Sequence, residues 1–221
     1  DVLEQVLVAA ISLARIAMYG SSTDILYHVV GHGAQDMNVW LLFEEKYKRD
    51  VQNICLYCDG YEELKKDTIN FLLSTYCDYY TENEPDNCFI AINEKDEAIG
   101  YILCAEDFDS FYEVFRKDYL SKIPPEDKAN RFYAEMSTVM HKKYKDSYPA
   151  HLHIDIMGDY QRMGLGHRLT DALISHLKKM RIKGLMLSVS PLNPKGIAFY
   201  EKYGFSLLEK NPDSIVYGMK L

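Results

Sequence analysis

From about residue 39 onward, apolar positions alternate between a strand-like period of two and a helix-like period near 3.6. The pattern predicts a strand over 39–43 and a helix over 46–57, with apolar positions at Val51, Ile54 and Cys55. Asp59-Gly60 marks a turn, a long helix follows over 62–80, and Pro85 lies in the 83–87 break that ends it. Apolar runs over 88–92 and 98–104 surround an acidic turn, which is a hairpin signature. Helical stretches over 109–120 and 126–144 are separated by Pro124-Pro125. The remainder reads as strand 150–157, helix 164–181, strand 185–190, helix 195–203 and a closing strand over 214–219. Strands lead early and β-α-β-α dominates late, so the expected class is mixed α/β. Residues 1–36 read as a separate appendage, a helix and a short strand, ahead of a main unit over 37–221.

Composition narrows the picture. With 221 residues, 48% of them hydrophobic and 26% charged, the chain can bury a real core and is not a disordered or low-complexity protein. Its 25 basic and 33 acidic side chains leave a net charge of −8, which argues against nucleic acid as a partner. An anionic ligand must therefore be held by a local site. The apolar stretch over 6–14 is too short to span a bilayer, so no membrane partner is expected. Five cysteines without framework spacing point to a reducing, cytoplasmic setting. Cys55-x-x-Cys58 has no second pair at ligand spacing and reads as ordinary buried thiols, with no metal expected.

The most informative segment runs from Asp155 to Leu169. A strand enters a short loop, and a helix leaves from Gly164-Leu165-Gly166. Glycines there allow close backbone approach and aim main-chain N–H groups outward from the positive end of a helix. That arrangement suits a pyrophosphate. The loop lacks the Lys-Ser/Thr of a P-loop and the third glycine of a dinucleotide fingerprint. Gln161-Arg162-Met163-Gly164-Leu165-Gly166 instead resembles the Gln/Arg-x-x-Gly-x-Gly/Ala loop of the GNAT superfamily of acetyl-CoA-dependent N-acetyltransferases. The segment from Asn193 through Ala198, Phe199 and Tyr200 to Gly204-Phe205 is similar to that superfamily's Asn-x-x-Ala-x-x-Phe-Tyr-x-x-x-Gly-Phe motif, with Gly196 where alanine is usual. The resemblance covers about 39–221. Within it, Ala150 to Asp155 and the 71–104 segment look most like bacterial acetyltransferases related to the acetyltransferase-like C-terminal domain of O-GlcNAcase.

The resemblance implies a GNAT fold, a central mixed twisted β-sheet flanked by helices on both faces. It further implies an acetyl-CoA-dependent acyltransferase that passes an acetyl group to a primary amine of a small molecule or peptide by direct attack in a ternary complex. The competing expectation is a catalytically silent acetyl-CoA-binding or protein-interaction module. Cofactor contacts are implied for Ile156, Met157, Gln161, Arg162, Met163, Gly164, Leu165, Gly166, His167, Asn193 and Tyr200. A main-chain N–H near Ile156 or Met157 would polarise the thioester carbonyl, and Tyr200 would protonate the departing thiolate. Alternation places His151, His153 and Asp155 on one strand face. His153 or Asp155 is the candidate base, with a satisfied polar network as the other reading. Glu106 and Asp107 are candidates for binding a cationic amine. Tyr57, Tyr61, Tyr76, Tyr79 and Tyr80, part of an excess of 18 tyrosines, suit either an acceptor pocket or a homodimer contact.

Overall fold

The computed structural model describes residues 39–57 and 64–221. The appendage over 1–36, Cys58 and Tyr61 lie outside the described residues. β1 (Val39–Leu42) leads through a 3-10 turn into α1 (Lys48–Tyr57). α2 (Lys66–Tyr76) and α3 (Asp78–Asn83) precede the hairpin of β2 (Phe89–Ile92) and β3 (Ala98–Ala105). α4 (Phe108–Val114), which runs on into a π-turn, and α5 (Lys128–Tyr144) connect to β4 (Ala150–Ile156). The chain closes with α6 (Leu165–Lys179), β5 (Gly184–Val189), α7 (Pro194–Tyr203), β6 (Ser206–Lys210) and β7 (Ile215–Lys220).

The strands form one seven-stranded sheet in the order β1-β2-β3-β4-β5-β7-β6. Every neighbouring pair is antiparallel except β4 and β5. One core lies between the sheet and α1 to α5, built from Tyr47, Val51, Ile54, Tyr80, Tyr101, Leu103 and Phe111 among others. The second lies on the other face, where α6 contributes Leu165, Leu169, Leu173 and Leu177, four residues apart and all buried. β3 feeds both cores by alternation, with Tyr101 and Leu103 in the first and Ile102 and Cys104 in the second.

Two features depart from the sequence expectation. The single helix expected over 62–80 is broken at Cys77, whose φ of −132° and ψ of −63° leave the helical region. The break restarts the chain as α3 and turns Tyr79 and Tyr80 into the core, to 3% and 1% exposure. No Pro or Gly marks it, so the pattern of apolar positions could not reveal it. β6 was not anticipated because it is a largely exposed edge strand, with Leu207 56% exposed and no alternation to read.

Cys55, Cys77, Cys88 and Cys104 are buried free thiols, as ordinary core cysteines should be. Burial pushes the Cys88 thiol up to about 12, far from the range of a nucleophilic thiolate.

The entry to β4 is fixed by Tyr148, whose ring lies over two glycines of the neighbouring strands. A Cβ at Gly184 would sit 2.7 Å from the Ser147 carbonyl oxygen and 2.9 Å from the Tyr148 ring; one at Gly218 would sit 2.8 Å from the same ring. Gly184→Ala should therefore lower stability by about 1–3 kcal/mol, as overpacking against backbone does. Urea denaturation should show a lower midpoint with an unchanged slope.

Candidate active site

β4 is bonded differently along its two edges. Toward β3 it pairs over its full length, from Ala105 opposite His151 to Gly100 opposite Ile156. Toward β5 the ladder consists of Ala150 opposite Leu185 and His151 opposite Met186, and goes no further. Beyond that point the two strands part, and a gap opens toward the C-terminal end of β4. In an antiparallel pair, main-chain groups of alternate residues point to the same side. Met157 N–H donates to the Ile99 carbonyl at 3.0 Å, which places the odd-numbered residues of β4 in the bonds to β3. Ile154 and Ile156 therefore direct their main-chain groups into the gap.

At the open end of the gap lies the loop before α6. Gln161 ties it back, its side-chain amide donating to the Ile156 carbonyl at 3.0 Å. Arg162 holds a φ of +66° and Gly164 a φ of +81°, two left-handed residues that turn the chain sharply into α6. Gly164 is the N-cap and offers no side-chain hydrogen bond, so the first main-chain N–H groups of α6 have no side-chain cap. A Cβ on Gly164 would meet no heavy atom within 4 Å. An open, positively polarised helix end thus faces the mouth of a strand edge that forms no ladder to β5 beyond His151.

The comparisons with known proteins agree with this geometry. Residues 56–205 match the model of the Acetyltransferase (GNAT) family. The chain belongs to that family. A 48-residue segment, 22% of this chain, is 46% identical to the [ribosomal protein bS18]-alanine N-acetyltransferase of Escherichia coli (strain K12) and spans 32% of that relative's length. The solved structure of SsHAT aligns over 83% of this chain and 98% of its own, with a TM-score of 0.71 and 21% identity. Polyamine N-acetyltransferase of Drosophila melanogaster aligns over 83% of this chain and 100% of its own, with a TM-score of 0.58 and 13% identity. Both structures share the GNAT fold.

In this GNAT chain the expected loop residues divide by what their side chains do. Leu165 is 1% exposed and can offer a ligand only its main chain. Gly166 is glycine for packing, since a Cβ there would lie 3.1 Å from the Phe199 ring. His167 packs edge-on against Phe199, with ring centroids 5.2 Å apart. Met157 and Met163 are exposed beside the mouth. Of the two main-chain donors considered for the carbonyl, Met157 N–H is consumed by Ile99, which leaves the gap-facing Ile156 and, deeper, Ile154, which the sequence reading did not single out. Asn193 caps α7, its Oδ1 accepting from Gly196 N–H at 2.8 Å. Its amide fills the space a Cβ at 196 would need, 2.9 Å away, which accounts for glycine where the family motif has alanine.

Tyr200 is 8% exposed and packs among Phe199, Phe205 and Tyr217. Burial, with a contribution from the Asp155 carboxylate, holds its hydroxyl protonated well above the ordinary tyrosine range. Asp155 accepts a hydrogen bond from the Tyr101 hydroxyl at 2.5 Å. His153 and His151 share one partner, the Tyr80 hydroxyl, 3.0 Å from the Nε2 of each. Tyr76 lies edge-on against His153, with centroids 5.3 Å apart. Of the tyrosine group, Tyr76 and Tyr80 thus reach the candidate site, Tyr79 is bonded to Glu84, and Tyr57 is exposed.

Glu106 and Asp107 are not brought to the gap. They follow β3, which at Ala105 stands opposite His151, so both lie beyond the closed end, roughly 13 Å or more along the strands from Ile154 at ~3.3 Å per residue. Glu106 accepts from Asn87, and Asp107 caps α4 through Ser110 N–H at 2.9 Å. Their carboxylates make hydrogen bonds within the fold there.

Burial also sets a pH limit on this layer. Desolvation pushes His141 down to about 3, His153 down to about 4, and the fully buried His151 well below its usual value. All three are neutral when folded, whereas the unfolded chain binds protons on them below about pH 6.5. Stability is therefore complete above that pH and falls as pH drops from 6.5 toward 4, by about 1.4 kcal/mol per pH unit for each histidine. Thermal melting should decline steeply across that window. Because His141 Nε2 has no partner among the described residues, His141→Leu should leave the melting temperature at pH 7.5 unchanged or higher and make the acid decline shallower.

Proposed function

We propose that this chain is an acetyl-CoA-dependent N-acetyltransferase acting on a primary amine by direct transfer. The observation that carries this reading is the parting of β4 from β5 in line with the uncapped N-terminus of α6. It leaves an open strand edge for an extended amide-bearing arm and a cluster of main-chain N–H groups for phosphates. The residues present fit acetyl-coenzyme A. The open space over Gly164, the first-turn N–H groups from Leu165 to His167, and the exposed Arg162 would hold its phosphates, and Ile154 and Ile156 would pair with its arm. When bound, it supplies an acyl group activated as a thioester.

The protein's own groups then have distinct tasks. The Ile154 and Ile156 N–H groups, fixed in position by the β3 ladder, stabilise negative charge on an oxygen placed against them without having to reorganise. Tyr200 keeps its proton until a strong base forms beside its hydroxyl, and then donates it. His153 and Asp155 project from the other face of β4, toward the helical layer that carries Tyr76 and Tyr80, where an amine would be held and would lose its proton. The resemblance to acetyltransferases related to the O-GlcNAcase C-terminal domain belongs to the same proposal, supported by the residues around Ala150 to Asp155 that carry it.

Calorimetry with acetyl-CoA, followed by thiol release over a panel of amines, tests the reading. No binding would refute it, and binding without turnover across a broad panel would assign a coenzyme-binding module instead. Gly164→Trp should abolish binding by filling the space above the helix end, while a melting curve confirms that the variant folds. Tyr200→Phe should lower kcat by on the order of 10²-fold, the lower range for loss of a general acid, with the Kd for acetyl-CoA nearly unchanged. Equal losses in both would give Tyr200 a binding role.

A further inference from the structure

The shared hydrogen-bond partner of His151 and His153 constrains both rings. Tyr80 is 1% exposed, stacked on Phe111, and held as a neutral phenol by burial. It carries a single hydrogen, so it can donate to one Nε2 and must accept from the other. The two imidazoles are neutral, so one is protonated on Nε2 and its neighbour on Nδ1.

His151 decides which. Its ring is 1% exposed, stacked on His141 with centroids 4.4 Å apart, and edge-on to Phe111 at 4.6 Å. Its Nδ1 is buried without a partner among the described residues, as is the Nε2 of the stacked His141. An orphaned buried N–H is rarer than an under-satisfied acceptor, so the arrangement that leaves a bare lone pair on His151 Nδ1 is preferred. His151 is then protonated on Nε2 and donates to the Tyr80 oxygen. Tyr80 donates to His153 Nε2, and the hydrogen of His153 sits on Nδ1. The groups facing His153 are Tyr76 from α2, Tyr80 from α3 and, along its own strand, His151 and Asp155; His141 approaches from α5.

We propose that His153 takes part in the reaction as a neutral hydrogen-bond donor through Nδ1–H, that Tyr80 and His151 are positioning residues that impose this tautomer, and that Asp155 accepts the amine proton. The inference rests on the acetyltransferase reading for its amine. In balance, the N–H bond of the amine would break as the amide C–N bond forms, its proton passing to an Asp155 carboxylate oxygen, while the thioester C–S bond would break with its electron pair going to sulfur, which would take the Tyr200 proton.

Nitrogen NMR of histidine-labelled protein, without ligands at pH 7.5, reads the tautomers directly and does not depend on activity. The expected result is a protonated Nδ1 on His153 and a protonated Nε2 on His151; the reverse pair would overturn the proposal. Tyr80→Phe should release His153 from this tautomer, seen as intermediate shifts, and unchanged shifts would likewise overturn it. On the chemistry, His153→Asn places an amide N–H near the Nδ1 position and should keep kcat within about tenfold of the parent. Asp155→Asn should lose on the order of 10²–10⁴-fold, as expected for a general base. A loss of that size in His153→Asn with near-normal activity in Asp155→Asn would make His153 the base. If acetyl-CoA does not bind at all, the acetyltransferase reading fails while the tautomer measurement still stands.

Discussion

The site depends on β4 being committed to β3 along its whole length and to β5 only at its start. Ladder bonds to β3 hold the strand straight from Ala105 opposite His151 to Gly100 opposite Ile156, while β5 is held by β7 from Gly184 to Val189. Once the two parallel strands part, each keeps one satisfied edge and one edge of main-chain groups turned toward the gap. Alternation then assigns two jobs to one strand. Even-numbered residues turn their main chain to the gap and their side chains into the α6 layer; the side chains of odd-numbered residues enter the helical layer on the other face. A main-chain edge turned to the gap and a His-x-His-x-Asp row turned to the helical layer are therefore consequences of a single register.

Charge is managed in a matching way. In the proposed reading, a chain of net charge −8 would host an anionic ligand through main-chain dipoles at the start of α6, not through a basic surface. The same surplus of carboxylates explains much of the tyrosine excess. Tyr47, Tyr79, Tyr101, Tyr119, Tyr144, Tyr203 and Tyr217 donate to Asp96, Glu84, Asp155, Glu82, Glu209, Asp171 and Glu201. At the partly buried Glu84 and Asp155, a phenol satisfies the carboxylate without adding a second charge that must also be desolvated. At Tyr80 the hydroxyl instead bridges imidazoles kept neutral by burial.

The sequence by itself determined the elements whose signals are local. Leu165, Leu169, Leu173 and Leu177 fix the buried stripe of α6, the apolar runs on either side of Asn93 to Glu97 fix the hairpin, and Gly164 marks the only kind of residue at ease with a φ of +81°. Those signals reached a mixed α/β class, and the resemblance of Gln161 to Gly166 and of Asn193 to Phe205 to the superfamily's motifs carried it to the GNAT fold. The tertiary structure decided what depends on partners far along the chain. It broke the helix at Cys77 and so delivered Tyr80 to histidines about 70 residues away. It used Met157 N–H in the bond to Ile99 and left the gap to Ile154 and Ile156, and it set Glu106 and Asp107 beyond the closed end. Propensity and spacing act over a few residues, whereas register, burial and the sharing of one hydroxyl between two imidazoles exist only once the strands and helices have packed.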